Sequence, residues 1–219
     1  DGQQYETLQA AVDAVQGSGT IELTSSIALS DQVTIDSGKT IILDMNGETL
    51  SIGFSDSSKN LIVNNGTLTI TGDGTFDATE ATSYKGFINN YGTLTVENGT
   101  FQIADKAMTV HLRNQDGGKA VINGGTFSGG ATIVRSFEGS NTTITGGSFT
   151  NSVYPAVDVN GETLITGGIF TNTSCSRCDS QNWGYTVRSG VDNDPDAKLT
   201  ITPSSEGSVV VTGTQGALS

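Results

Sequence analysis

Short runs of alternating apolar and polar residues fill this chain from residue 20 onward. Thr20-Ile21-Glu22-Leu23, Ile27-Ala28-Leu29, Val33-Thr34-Ile35 and Thr40-Ile41-Ile42-Leu43 come first, each bounded by Gly, Ser or Asp. A period of two sends successive side chains to opposite faces, so these runs predict short half-buried strands. Residues 5–16 break the pattern. Tyr5, Leu8, Val12 and Val15 fall on one helical face, and Gly17 stands where a C′ glycine would end the helix.

From about Ile41 the alternation becomes a repeat. An apolar strand ends in a turn, often Asn-Gly, as at Asn46-Gly47, Asn65-Gly66 and Asn160-Gly161. A threonine-alternating strand follows, as in Leu68-Thr69-Ile70, Leu94-Thr95-Val96, Thr142-Thr143-Ile144 and Leu199-Thr200-Ile201. A glycine turn then opens a third strand: Gly74-Thr75-Phe76, Gly99-Thr100-Phe101, Gly125-Thr126-Phe127, Gly147-Ser148-Phe149 and Gly168-Ile169-Phe170. The phenylalanines lie 25, 26, 22 and 21 residues apart.

A period in this range marks a solenoid, in which each repeat buries its apolar face against its neighbours. Three strands per repeat is one coil of a parallel β-helix. Asn-Gly also signals antiparallel hairpins, but hairpins do not explain why identical residues return once per repeat. The predicted fold is all-β: a single β-helix domain over 1–219, with a cap helix at 5–16 and about eight coils over 20–214. Coils about 4.8 Å apart would stack the five phenylalanines in one internal column. Ile70, Val96, Ile122, Ile144, Ile165 and Ile201 would form another. Asp73 is an extra residue that should bulge its turn.

Composition agrees with a thin core. Apolar residues make up only 34 %, which a column one or two side chains wide tolerates. The net charge of −13 and the lack of a basic cluster argue against nucleic acid and anionic membranes. No run of about 18 apolar residues offers a membrane span. No signal peptide stands at Asp1, and Val209-Val210-Val211 to Gly216 ends without an evident cap, so the expectation is a domain excised from a longer chain.

The opening Glu6-Thr7-Leu8-Gln9-Ala10-Ala11-Val12-Asp13-Ala14-Val15, then Gly19-Thr20-Ile21-Glu22-Leu23, then Gly38-Lys39-Thr40-Ile41-Ile42-Leu43-Asp44, resembles the start of pectin-lyase-like β-helix proteins. The Gly-Gly-Thr-Phe style also resembles β-helix regions of large bacterial surface proteins. The resemblance implies a right-handed helix plugged at its N-terminal end. It implies no single function, because that superfamily holds polysaccharide lyases, glycoside hydrolases, tailspikes and adhesins.

Reading the residue after each apolar pair gives one outward column: Asn89, His111, Arg135, Asp158 and Arg188. It suits a polar groove for a sugar chain, or equally a solvated face of stacked opposite charges, worth only about 0.2–1 kcal/mol per pair. Tyr84, Tyr154, Trp183 and Tyr185 lie a few residues before the same strand. They either offer sugars their faces or pack on the adjoining loop.

Cys175 and Cys178 form the only cysteine pair. Zinc would need two more ligands, and a redox CxxC would open a helix in a βαβ unit, so a small-loop disulfide or spare thiols remain. Asp192, Asp194 and Asp196 alternate as calcium ligands do, without the glycine and glutamate of an EF-hand loop; a solvated acidic turn explains them as well.

Lyase chemistry would fall to Arg135 or Arg188, and hydrolysis to Asp158 with a second carboxylate about 5–9.5 Å away, which the column does not supply. Asn65, Asn98, Asn141 and Asn172 begin Asn-x-Ser/Thr phrases, as turn-rich composition produces by itself. Threonines 69, 95 and 143 could form an ice-facing ladder, but Val121 and Leu164 interrupt it.

The expected function is therefore a non-catalytic extracellular domain of a bacterial surface or secreted protein that binds a glycan or host glycoprotein. No cofactor is expected, and a monomer joined to flanking domains is. The ligand would meet Tyr154, Trp183, Tyr185, His111, Arg135, Asp158 and Arg188. A polysaccharide lyase or hydrolase and a plain spacer are the alternatives.

Overall fold

The computed structural model describes residues 2–56, 58–80, 86–104, 109–150, 156–159, 161–171, 185–187, 198–203 and 209–213. It is a parallel β-solenoid with three sheets and one short N-terminal helix. The first sheet stacks Ser18–Glu22, Thr40–Asp44, Thr67–Thr71, Thr93–Val96, Lys119–Ile122, Asn141–Ile144 and Glu162–Ile165, all parallel. These strands span about six turns, rather than the eight expected. The second sheet carries the phenylalanines. The third stacks Val33–Ile35, Ile62–Asn64, Ile88–Asn90, Val110–Asn114, Thr132–Ser136 and Val157–Val159.

Phe76, Phe101, Phe127, Phe149 and Phe170 are in register and buried, as expected. Their rings stack face to face, with centroids 4.6, 4.6, 5.1 and 4.7 Å apart along the column. Leu50 precedes them in the same column. The glycine before each phrase permits the turn: Gly99, Gly125, Gly147 and Gly168 have φ of 118, 99, 105 and 122°, a region that side chains resist. In the first copy the extra Asp73 moves that role to Gly72, with φ 82°, and Gly74 is released from it. Asp73 then accepts a hydrogen bond from Asn98 of the next turn, at 2.6 Å.

The column from Ile70 through Val96, Ile122 and Ile144 to Ile165 is in register. Ile201 is not part of it. Lys198–Pro203 lies antiparallel to Gly168–Thr171 in the second sheet and places Ile201 opposite Gly168. Val209–Gly213 continues antiparallel beyond it, and Tyr185–Val187 runs antiparallel to Val157–Val159 in the third sheet. The glycine-to-phenylalanine phrase of the middle turns does not recur after Phe170, and among the described residues the parallel stack ends there.

The helix is shorter than 5–16. It spans Leu8–Ala14, with Thr7 as N-cap accepting from the Ala10 N–H. Tyr5 lies outside it and is exposed, while Leu8, Ala11 and Val12 are buried. Two side chains weld the helix to the first turns. Lys39 Nζ donates to the carbonyls of Val12, Asp13 and Val15 at 2.8, 3.1 and 2.8 Å, where the helix ends in orphan acceptors. The Gln9 carboxamide pairs with Thr34 in both directions: its oxygen accepts from the Thr34 N–H at 2.7 Å, and its NH₂ donates to the Thr34 carbonyl at 3.1 Å. The outer edge of the third sheet thus finds a side-chain imitation of a strand, which blunts edge-to-edge pairing.

Candidate functional site

The site residues stand on the third sheet, and where they point depends on how the chain turns into it. At least two successive side chains are buried there in each turn: Leu61 and Ile62, Phe87 and Ile88, His111 and Leu112, Ile133 and Val134, Ala156 and Val157, with Thr109, Val110, Ala131 and Thr132 extending two of these runs. Simple alternation therefore fails by one step at this bend. His111 was expected outward, after Thr109-Val110. It occupies the interior slot between Phe87 and Ile133 and is 1 % exposed. Its ring lies 5.5 Å from Phe87 and 5.9 Å from Phe127, and Nε2 is 3.2 Å from the Gly129 carbonyl. Burial lowers its pKa to about 4, so the ring is neutral, and its Nδ1 is buried with no hydrogen-bond partner. His111 is a core residue and cannot touch a ligand.

The outward residue of that turn is Arg113. Strand register aligns Val63, Asn89, Arg113, Arg135 and Asp158. Phe127 follows Arg113 by fourteen residues, as Phe149 follows Arg135, whereas Phe101 follows Asn89 and Phe170 follows Asp158 by twelve, so strand register and not a fixed count identifies the column.

Arg135 Nε donates to Asp158 Oδ2 at 2.7 Å, and Asp158, expected in the exposed column, is fully buried under this ion pair. A second outward column begins one step later. The N–H groups of Tyr91, Gln115 and Phe137 bond the carbonyls of Asn64, Asn90 and Asn114 one turn earlier, which stacks these three residues along the solenoid.

Between the two columns the contacts are dense. The guanidinium carbons of Arg113 and Arg135 lie 5.4 and 5.6 Å from the Phe137 ring centroid. Gln115 donates to Asn89 Oδ1 at 2.5 Å, and Asn89 donates to the Tyr91 hydroxyl at 3.3 Å. Tyr91 is 48 % exposed. Desolvation, together with the neighbouring Arg135 charge, lowers the Arg113 pKa. Six polar or aromatic side chains (Asn89, Tyr91, Arg113, Gln115, Arg135 and Phe137) thus form one patch. None of Tyr91, Arg113, Gln115 and Phe137 was nominated from the sequence.

Beneath this patch runs a buried asparagine ladder, also unforeseen. Asn64 Nδ2 donates to Asn90 Oδ1 at 2.7 Å, and Asn90 Nδ2 to Asn114 Oδ1 at 2.8 Å. Each amide also clamps the next turn: Asn64 donates to the Thr93 carbonyl, Asn90 to that of Lys119 and Asn114 to that of Asn141. The Asn-x-Gly phrases at Asn64 and Asn90 were its signal. The ladder holds the strands that display Asn89, Arg113 and Arg135 at fixed register.

Tyr154, Trp183, Arg188, Cys175, Cys178, Asp192, Asp194 and Asp196 lie outside the described residues, and Tyr185 is described only as strand backbone. Among the described residues, no three His, Cys, Asp or Glu side chains gather as metal ligands would. A cavity of about 720 Å³ lies at the N-terminal end, between residues 2–7 and 20–25, and none of the nominated residues lines it. No helix among the described residues is long and apolar enough to cross a membrane. No family model, no curated protein and no solved structure matches the chain.

Proposed function

We propose that this chain is a non-catalytic binding module whose outer third-sheet face takes a glycan or the glycan of a glycoprotein. One observation carries the reading. Tyr91 and Phe137 stand beside Asn89, Gln115, Arg113 and Arg135 in two parallel columns fixed by strand register. Sugars combine weakly apolar C–H faces with dense hydroxyls, so aromatic surfaces bordered by amides and guanidinium groups complement them. Successive turns about 4.8 Å apart present this chemistry along a line, as an extended chain of sugars requires.

Asp158 supports binding over catalysis. Its carboxylate is buried and tied to Arg135 Nε, a poor arrangement for an acid or nucleophile that must reach a glycosidic bond. The acidic, threonine-rich composition and the pectin-lyase-like opening fit a secreted or cell-surface bacterial protein.

The test is a panel of plant, mucin and bacterial polysaccharides, incubated with the protein and calcium and then read for binding and for released fragments. Binding without fragments is expected, weakened by Tyr91→Ala together with Asn89→Ala while the melting midpoint stays within a few degrees. Unsaturated or hydrated fragments would make the chain a lyase or a hydrolase and sink the proposal. Binding indifferent to the double substitution would move the site elsewhere.

A further inference from the structure

Two arginines stack one turn apart on a chain with a net charge of −13. Like charges directly opposite on paired strands destabilise a sheet. Arg135 is compensated by Asp158. Arg113 has no carboxylate within ion-pairing distance among the described residues; its guanidinium faces the Phe137 ring, and its methylenes lie where a side chain at Gly86 would stand. Its Nε is buried with no hydrogen-bond partner. The half-buried guanidinium thus carries its charge without an anion, and an anion bound at its terminal nitrogens would offset that cost.

Building on the glycan reading above, we infer that this face recognises a sulfate ester on its glycan, with Arg113 as the residue that reads the charge.

The geometry favours a tetrahedral oxyanion over a carboxylate. A carboxylate docks on a guanidinium side-on through Nε and one terminal nitrogen, or end-on through the two terminal nitrogens, and either way spends both of its oxygens on one arginine. At Arg113 the Nε edge is closed by burial, and at Arg135 Nε is held by Asp158. The terminal nitrogens of Arg113 are left to meet the ligand. Three oxygens spread over a tetrahedron can meet them end-on while staying in the field of the second guanidinium, about 4.8 Å further along the stack. The net repulsion of a chain at −13 works against adventitious polyanion binding, so specific contacts have to supply the affinity.

The experiment is calorimetric titration of the protein with dextran, carboxymethyl-dextran and dextran sulfate of matched length and substitution, in low salt. Dextran sulfate is expected to bind at least about tenfold more tightly than carboxymethyl-dextran. Arg113→Gln should remove about tenfold or more of that affinity, in line with loss of one charge-assisted contact. Arg113→Lys keeps the charge without the planar fork and should fall between wild type and Gln. It also serves as the folded comparison should the Gln variant lose its melting transition. Sodium sulfate should compete better than sodium chloride at equal ionic strength.

Equal or tighter binding of carboxymethyl-dextran, or no response to either Arg113 substitution, would overturn the inference. The two readings can fail separately. Tyr91-dependent binding of a neutral glycan that ignores Arg113→Gln keeps the glycan reading and removes the sulfate. Arg113-dependent binding of dextran sulfate that ignores Tyr91→Ala keeps the oxyanion site and removes the sugar.

Discussion

The inner faces of the second and third sheets are built on the same rung spacing, yet one stacks phenyl rings and the other stacks carboxamides. The phenylalanine column relies on burial and ring contact, which have little directional demand. It therefore survives an inserted residue: Asp73 lengthens one turn, the left-handed position moves to Gly72, and Phe76 still stacks on Phe101 at 4.6 Å. The asparagine ladder relies on directed hydrogen bonds and tolerates less. Where the turn after Asn114 is two residues longer than that after Asn90, the ladder passes to hydroxyl groups. Asn114 donates to Thr142 Oγ1 at 2.9 Å, and Ser136 joins both Thr142 and Ser140 at 3.0 Å. A column held by shape absorbs variation in its turns; a column held by donors and acceptors changes its residues instead.

Cutting the apolar column should cost most. Phe127→Ala removes a ring packed between Phe101 and Phe149 and leaves a cavity, so unfolding should be favoured by about 3–5 kcal/mol. An unchanged denaturation midpoint would mean that the column does not hold the solenoid.

His111 lies where the two chemistries meet, a polar ring in an otherwise apolar slot. Its folded pKa of about 4 lies below the usual 6.5, so between these values the unfolded chain binds the proton more readily. Stability is then complete above about pH 6.5 and falls as pH drops toward 4, by about 3 kcal/mol in all. Comparing wild type with His111→Leu isolates this slope from that of the carboxylates. The variant should lose the extra acid sensitivity, and identical slopes would place the ring in contact with water.

Breaking the polar column should cost less than either. Asn90→Ala withdraws the donor to Asn114 Oδ1 and to the Gly92 and Lys119 carbonyls, and the acceptor used by Asn64. Each stranded buried group costs about 1–3 kcal/mol, but Asn64 keeps its bond to Thr93, so a loss of about 2 kcal/mol is expected by urea unfolding. A cost near zero would mean that water replaces the amide.

This contrast also explains what could be read in advance. The phenylalanines announced the period, the register and the solenoid because one residue type fills one place in every turn. The ladder uses Asn, Asn, Asn and then Ser, with turns of unequal length, and its regularity appears only once strands are paired. The patch failed to appear for a related reason. Where the chain bends into the third sheet two neighbouring side chains both go inward, so alternation assigned His111 to a position that belongs to Arg113. Arg135 and Asp158 share the Arg113 column because their turns carry the apolar pair immediately before them, although Asp158 is buried against Arg135 instead of exposed. The end of the parallel stack is not marked in the sequence, because Leu199-Thr200-Ile201 keeps the alternation of a parallel strand while running antiparallel, and alternation carries no direction.

The smallest expected effect bears most directly on the difference between the two columns. Phe127→Leu keeps most of the buried volume and loses the ring. If burial dominates, the cost should be only about 1–2 kcal/mol, the sum of slight underpacking and the ring-ring contribution of about 0.5–1.5 kcal/mol. Thermal or urea midpoints for the Leu and Ala variants, measured side by side, decide it. A Leu variant nearly as damaged as the Ala variant would mean that face-to-face geometry carries the column. The phenylalanines would then be a directional ladder like the asparagines, and the tolerance of the inserted Asp73 would have to come from the glycine turn alone.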